Sequence, residues 1–241
     1  MSTLPLAHSG NRLLALLPPV ESERIIRDCT LVELTFGDTL WEQGDRMRHA
    51  HFPTAGFISL LTTVDDHTLE VGMVGDEGMC GHSLVLGVDI APLRALVQGS
   101  GESLRLKASA FQQHLDTCPA LRQSMHGYIH VLLGQLAQTA ACTRFHMVEA
   151  RLARWLLMTQ DRAHAQVFDV TQEFLAFMLG VRRVGVTAAA RLLQSQELIR
   201  YTRGHMTILD RVGLEAAACV CYQSDLAMYR RVLGTRRKLR S

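Results

Sequence analysis

The chain has 241 residues, 48% hydrophobic and 20% charged, enough to bury a core and too apolar to remain disordered. No apolar run approaches the roughly 18–20 residues that span a bilayer, and Leu13–Leu17 is cut short by Pro18-Pro19 with no secretory flank, so an integral membrane protein is excluded and a cytoplasmic location is expected. The net charge of +2 hides an asymmetry: residues 1–142 hold 9 Lys+Arg against 15 Asp+Glu, and residues 143–241 hold 16 against 8. A basic half joined to an acidic half points to a polyanion partner for one part only. The six cysteines (Cys29, Cys80, Cys118, Cys142, Cys219 and Cys221) contain no CxxC and read as reduced thiols.

In chain order, a short amphipathic helix (Arg12–Leu17, then Val20–Arg27) precedes a run of β signals. Strands are predicted at Leu31–Phe36, Arg48–Pro53, Gly56–Thr63, Thr68–Val74, Arg94–Gln98 and Ser103–Lys107. The punctuation is Gly37-Asp38, Gly44-Asp45, Asp65-Asp66, Gly75–Gly78 and Gly99-Ser100-Gly101, the last taken as a turn between two strands. Short strands at this spacing without intervening helices predict an antiparallel sandwich or barrel. From Pro119 the period becomes helical, with Leu121, Met125, Tyr128, Ile129, Leu132, Leu133, Leu136 and Ala140 forming a broad apolar stripe. Gly127, Gly134 and Ala141 share one heptad position, which suits close packing of the helix on its own barrel or against its twin across a two-fold axis. Met125, Tyr128, Ile129, Leu132 and Leu136 are the expected dimer contacts.

After the helix Val148–Met158 and a short strand Val167–Val170 comes the most specific signal. Thr171 can cap a helix that carries Glu173 in its first turn, and Gly180 can end it in the left-handed conformation. A second helix, Arg182–Gln194, follows at once and buries Val186, Ala189, Ala190, Leu192 and Leu193. Two short helices joined by a glycine turn make a helix-turn-helix, and the second opens with Arg182-Arg183 and exposes Thr187 and Arg191. Leu198–Leu209 then reads as a hairpin with Arg203-Gly204 at its tip, a basic wing. Thr171, Gln172, Arg203 and His205 are expected at phosphates.

The segments Phe36–Asp45 (FGDTLWEQGD), His51–Leu61 (HFPTAGFISLL), Val148–Leu157 (VEARLARWLL) and Thr171–Leu209 together resemble the Crp/Fnr family of bacterial transcription regulators over about residues 11–235. The resemblance implies an α+β chain: an N-terminal antiparallel β-barrel of the jelly-roll, cyclic-nucleotide-binding-like kind (11–118), a long dimerisation helix (119–145) and a C-terminal winged helix-turn-helix (146–235). It implies a homodimer on a pseudo-palindromic operator in double-stranded DNA, with RNA polymerase as a further partner. An effector would act through a hinge near Thr143–Met147. Arg183 stands at the family's guanine-reading arginine. The next position, acidic in many members, is Val184 here, followed by Gly185 and Ala188, so the familiar operator does not carry over and Val184 is expected at a thymine methyl.

The region of the family's nucleotide-phosphate cassette is Gly78–Gln98, with His82 in place of the ribose-binding glutamate and Arg94-Ala95 about one position from the phosphate arginine. Cyclic AMP is therefore not expected, and the effector stays unidentified. If one exists, His82, Ser83, Arg94, Ala95 and Tyr128 are its candidate contacts, with Arg94 equally readable as an ordinary strand arginine. The cysteines lack the clustered N-terminal spacing of an iron–sulfur sensor. No metal site is expected: Cys219-x-Cys221 reads as packing, and His126/His130, though i, i+4, lack a third ligand. The alternative reading is a small-molecule or redox sensor whose DNA binding needs an unidentified ligand or metal. No GxxxxGK[ST], GxSxG or HExxH occurs, so no enzyme is expected. The basic tail (Arg230, Arg231, Arg236, Arg237, Lys238, Arg240) reads either as added phosphate affinity or as a solubilising end.

Overall fold

Residues 10–65 and 67–234 are described in the computed structural model; Asp66 and the tail residues Arg236, Arg237, Lys238 and Arg240 lie outside them. The chain divides into two units. The first takes in the described residues up to Leu60, Met73–Leu133 and those from Met228 on, and the second is Leu61–Gly72 with Gly134–Ala227.

The first unit begins at Asn11, which is 1% exposed. Its Oδ1 caps helix α1 (Arg12–Ala15) by accepting from the Leu13 and Leu14 amides, while its Nδ2 donates to the carbonyls of Pro53 and Gly78, both at 2.9 Å. One buried side chain thus joins the helix start to the strand His49–Val64 and to the distant loop at Gly78. Helix α2 (Pro19–Arg27) follows, with proline at its first position, where the missing N–H costs nothing. Strands β1 (Thr30–Leu34), β2 (Thr39–Trp41), β3 (His49–Val64), β4 (His67–Val74) and β5 (Arg94–Lys107) form a sheet in the order β1-β5-β3-β4, with β2 also on β5. β1 runs antiparallel to β5 from Thr30↔Arg105 to Leu34↔Gly101. Phe52, Ile58, Leu106 and Phe111 of α3 (Ala108–Thr117) form its core, with the Phe52 and Phe111 rings edge-on at 6.1 Å.

Two expected breaks are absent. β3 runs unbroken through Pro53–Gly56 and β5 through Gly99-Ser100-Gly101. A Cβ on Gly56 would lie 2.2 Å from the Gly99 carbonyl, one on Gly101 2.3 Å from Ala55, and one on Gly99 2.4 Å from the Phe57 ring. These glycines let neighbouring backbones approach closely instead of turning the chain.

The long helix α4 (Pro119–Phe145) is as expected, but its apolar stripe is divided. Met125, Tyr128 and Leu132 are buried by their own chain, and Gly127 faces Val232 and Leu233 of α9 (Cys221–Leu233). The small residue therefore admits a helix of the same chain. Leu133 is 61% exposed, Ile129 and Leu136 are half-buried, and Ala137 and Ala140 are exposed.

The second unit is built on α5 (Val148–Ala163), in which every residue from Arg151 to Leu157 is buried. Around it lie β6 (Val167–Asp169), α6 (Gln172–Leu179), α7 (Arg183–Ser195), β7 (Ile199–Thr202), β8 (His205–Ile208) and α8 (Arg211–Ala217). The three strands form an antiparallel sheet in the order β6-β8-β7. Within this unit the Trp155 indole donates to Glu70 at 2.9 Å, and Arg154 pairs with buried Asp225 at 2.7 Å.

Asn11→Ala removes a cap and strands two carbonyls, so a loss of about 2–3 kcal/mol is expected in denaturant unfolding. A loss below about 0.5 kcal/mol would show that the bridge is not a support.

Candidate nucleic-acid interface

The helix-turn-helix forms from local signals. Thr171 Oγ1 accepts from the Phe174 amide at 3.1 Å, capping α6. Gly180 ends the helix at φ +60°, and the Gly180 and Val181 amides close back on the Phe177 and Ala176 carbonyls. Arg182 follows in extended conformation and α7 begins at Arg183. Val186, Ala189, Ala190 and Leu193 turn inward, leaving Arg182, Arg183, Val184, Ala188 and Arg191 exposed, with Val184 73% exposed. Leu192, expected inside, is 44% exposed.

Three of the predicted residues are linked. The Thr187 hydroxyl lies 2.7 Å from Gln172 Oε1 and 3.0 Å from the Arg183 carbonyl. Arg183 sits close enough to Tyr201 of β7 for its charge to act on the phenol, and the Tyr201 hydroxyl donates to the Val170 carbonyl. The start of α7, the start of α6 and the root of the β7–β8 hairpin thus form one contiguous surface. At the wing tip, Arg203 and Gly204 take φ of +50° and +88°, the turn that matches hairpin twist. Arg203 and His205 are exposed, and His205 Nδ1 is hydrogen-bonded to Asp169 across β6 and β8.

The cassette residues of the first unit are engaged elsewhere. Arg94 donates to Thr39 Oγ1 at 3.0 Å and pairs with Glu42 at 3.3 Å, while Ala95 is fully buried opposite Trp41. The Tyr128 hydroxyl donates to the Met79 carbonyl, and its ring occupies the space beside Gly78 that a Cβ would need. Ser83 is buried and His82 half-buried on a short 3-10 turn, His82–Leu86. Burial pushes the His82 imidazole down to about 4. Burial does the same to His51, aided by the charges of His49 and Arg105.

Comparison with known proteins decides what the second unit is. Residues 150–217 match the Crp-like helix-turn-helix domain. The second unit carries a Crp-like domain. The Crp/Fnr fold extends over the chain: a transcriptional regulator assigned to the Crp/Fnr family from Eubacterium rectale superposes with a TM-score of 0.68 at 16% identity, covering 87% of this chain and 99% of that one. The c-di-GMP-responsive global regulator CLP of Xanthomonas campestris gives 0.66 at 17% identity, over 80% of this chain and 100% of that one. FixK2 of Bradyrhizobium japonicum gives 0.66 at 12%, over 80% and 98%. No curated protein matches the chain in sequence. The Crp/Fnr resemblance read from the sequence is thus borne out in the Crp-like domain and in the fold, an N-terminal antiparallel sheet followed by helices and the helix-turn-helix. Among the described residues no helix is long and apolar enough to cross a membrane.

The structure also gathers residues that sequence reasoning kept apart. Cys142 and His146 at the end of α4 meet Cys219 and Cys221 at the start of α9, with all four ligand-type atoms within 4.8 Å of one another. The signal available was the i, i+4 spacing of Cys142 and His146 beside the Cys-x-Cys, but some 75 residues separate the pairs.

His51 and His82 set a pH dependence. Both are held below the free value of about 6.5, so the stability they confer is complete above that pH and is lost as pH falls toward 4. The denaturation midpoint is expected to fall between about pH 7 and pH 5, and the fall to shrink in His82→Gln. An unchanged pH profile in the variant would contradict this.

Proposed function

We propose that the protein is a homodimeric, DNA-binding transcription regulator that reads a pseudo-palindromic operator through α7. What carries the reading is the exposed Arg182-Arg183 start of α7 beside the wing, inside a segment that matches the Crp-like domain. Arg183 presents a planar fork suited to guanine O6 and N7, a contact that discriminates by about 1–3 kcal/mol. Val184 offers a methyl-sized apolar contact with no acceptor, which suits a thymine methyl at the adjacent position. Arg182, Arg191, Arg203 and the amide end of α6 around Thr171 and Gln172 supply phosphate contacts that set register. Thr187 steadies Gln172 and His205 is held by Asp169, so both act in fixed orientations.

Dimerisation is assigned to α4, with its apolar face moved from the predicted stripe. Ile129, Leu133, Leu136, Ala137 and Ala140 remain available to a second copy, whereas Met125, Tyr128 and Leu132 support their own chain. His126, His130, Leu133, Ala137 and Ala140 follow the alternating 4-3-4-3 spacing of a coiled-coil seam. RNA polymerase and a cytoplasmic setting follow from the same reading. An effector in the first unit would need contacts other than Arg94 and Tyr128, which already have partners.

Selection of sites from random double-stranded DNA by the purified full chain tests this reading. A palindromic consensus is expected, and Arg183→Ala is expected to relax one guanine in each half-site while weakening binding about 5- to 150-fold per half-site. An unchanged consensus in the variant, or enrichment of single, unpaired half-sites, would overturn it.

A further inference from the structure

Within the second unit, the cluster at the α4–α9 junction has the composition and dimensions of a metal centre. Cys142 lies on the last turn of α4 and His146 immediately after it. Cys219 and Cys221 flank Val220, which is 66% exposed, so the valine turns outward while both thiols turn in. Cys142, Cys219 and Cys221 are 2%, 7% and 0% exposed, while His146 is half-exposed. Cys142 Sγ lies 3.5 Å from Cys219 Sγ, and Cys221 Sγ lies 3.4 Å from His146 Nδ1. Outside these four, Gln138 Nε2 donates to Cys221 Sγ at 2.9 Å.

We propose that Cys142, His146, Cys219 and Cys221 form a Cys3His site for a single zinc ion, joining the end of α4 to the start of α9. Bonds of about 2.3 Å to sulfur and 2.0–2.1 Å to nitrogen place tetrahedral ligand atoms roughly 3.5–3.8 Å apart. The 3.5 and 3.4 Å separations and the 4.8 Å limit leave the four atoms within a small inward movement of that shell. A multi-iron cluster interposes its own sulfides and holds cysteines farther apart, so the compact set favours a single ion. Three sulfurs and an imidazole nitrogen are a soft set suited to zinc and unsuited to magnesium or calcium. A Cys142–Cys219 disulfide would instead bring the sulfurs to about 2.05 Å.

The set is complete at four protein ligands, the closed form of a structural site with no position for substrate. Loading breaks three S–H bonds, forms three Zn–S bonds and one Zn–N bond, and releases three protons to solvent. The remaining charge on the centre is negative, and the guanidiniums of Arg151 and Arg154 act electrostatically on Cys142 from α5. The Gln138 donor would hold the Cys221 sulfur in orientation, as partners of ligands commonly do. Metal then becomes a condition for rigidity at the root of the DNA-binding unit, and chelation a way to loosen it. This inference does not depend on the operator reading.

The test uses the full chain purified under reducing, oxygen-free conditions. Elemental analysis is expected to find about one zinc per chain, and replacement by cobalt(II) to give thiolate-to-cobalt charge-transfer bands with tetrahedral d–d bands. Because His146 is half-exposed, His146→Ala should fold and bind cobalt at least tenfold more weakly, while Cys29→Ser should bind as the parent does. Cys142→Ser and Cys219→Ser should lose the charge-transfer intensity stepwise. Reduced protein that holds no zinc and gives only the weak octahedral cobalt spectrum would overturn the proposal. So would equal cobalt affinity in His146→Ala and the parent.

Discussion

Helix α5 is enclosed on every side for seven consecutive residues, and the second unit depends on that enclosure. A helix buried all round must satisfy its polar groups internally, and here they are arginines and a tryptophan. Arg154 meets Asp225 with both side chains under 10% exposed, and Trp155 donates to buried Glu70. Removing one partner of such a pair costs about 3–5 kcal/mol, because the other charge is left buried alone. The pairs therefore fix one arrangement of α5 against α9 and against the 61–72 segment, and α6, α7 and α8 pack on a helix that cannot rotate. Because Val186, Ala189, Ala190 and Leu193 face that core, the outward face of α7 is free to carry charge.

The helix-turn-helix was legible because its signals are local. A threonine cap, a glycine in the left-handed region and a basic helix start each act within a few residues, and all appear where the sequence places them. The misread features are those whose meaning depends on distant partners. Gly99 and Gly101 look like turn residues until β3 and β5 lie side by side, when it is clear that no Cβ would fit between the strands. Gly127 looks like a dimer contact until Val232 and Leu233 occupy its face. Arg94 reads from sequence equally as an anion ligand and as an ordinary strand arginine, and only its distant partners Glu42 and Thr39 show what holds it. The four-residue Cys/His cluster was missed for the same reason, since half its residues come from the end of α4 and half from the start of α9, far apart in sequence.

The charge asymmetry of the sequence has a structural counterpart. Eight of the second unit's arginines fall into two groups. Arg151, Arg154 and Arg162 are buried around α5, whereas Arg182, Arg183, Arg191, Arg200 and Arg203 are exposed on α7 and the wing. Only the exposed group can exchange counterions with a phosphate backbone, so the formal charge of the basic half overstates what a polyanion meets. Tyr201, on which Arg183 acts and whose hydroxyl donates to the Val170 carbonyl, joins the α7 start to the wing root.

The central claim, that this exposed basic surface is the DNA contact, is tested most directly by the salt dependence of DNA affinity for the full chain and for Arg182→Ala and Arg203→Ala. Each phosphate contact contributes about 0.9 to the slope of log affinity against log salt. The account predicts a steep parent slope that flattens by about 2 in each variant, one contact being lost from each subunit of the dimer. Slopes unchanged by both substitutions would place the DNA contact on another surface and contradict it.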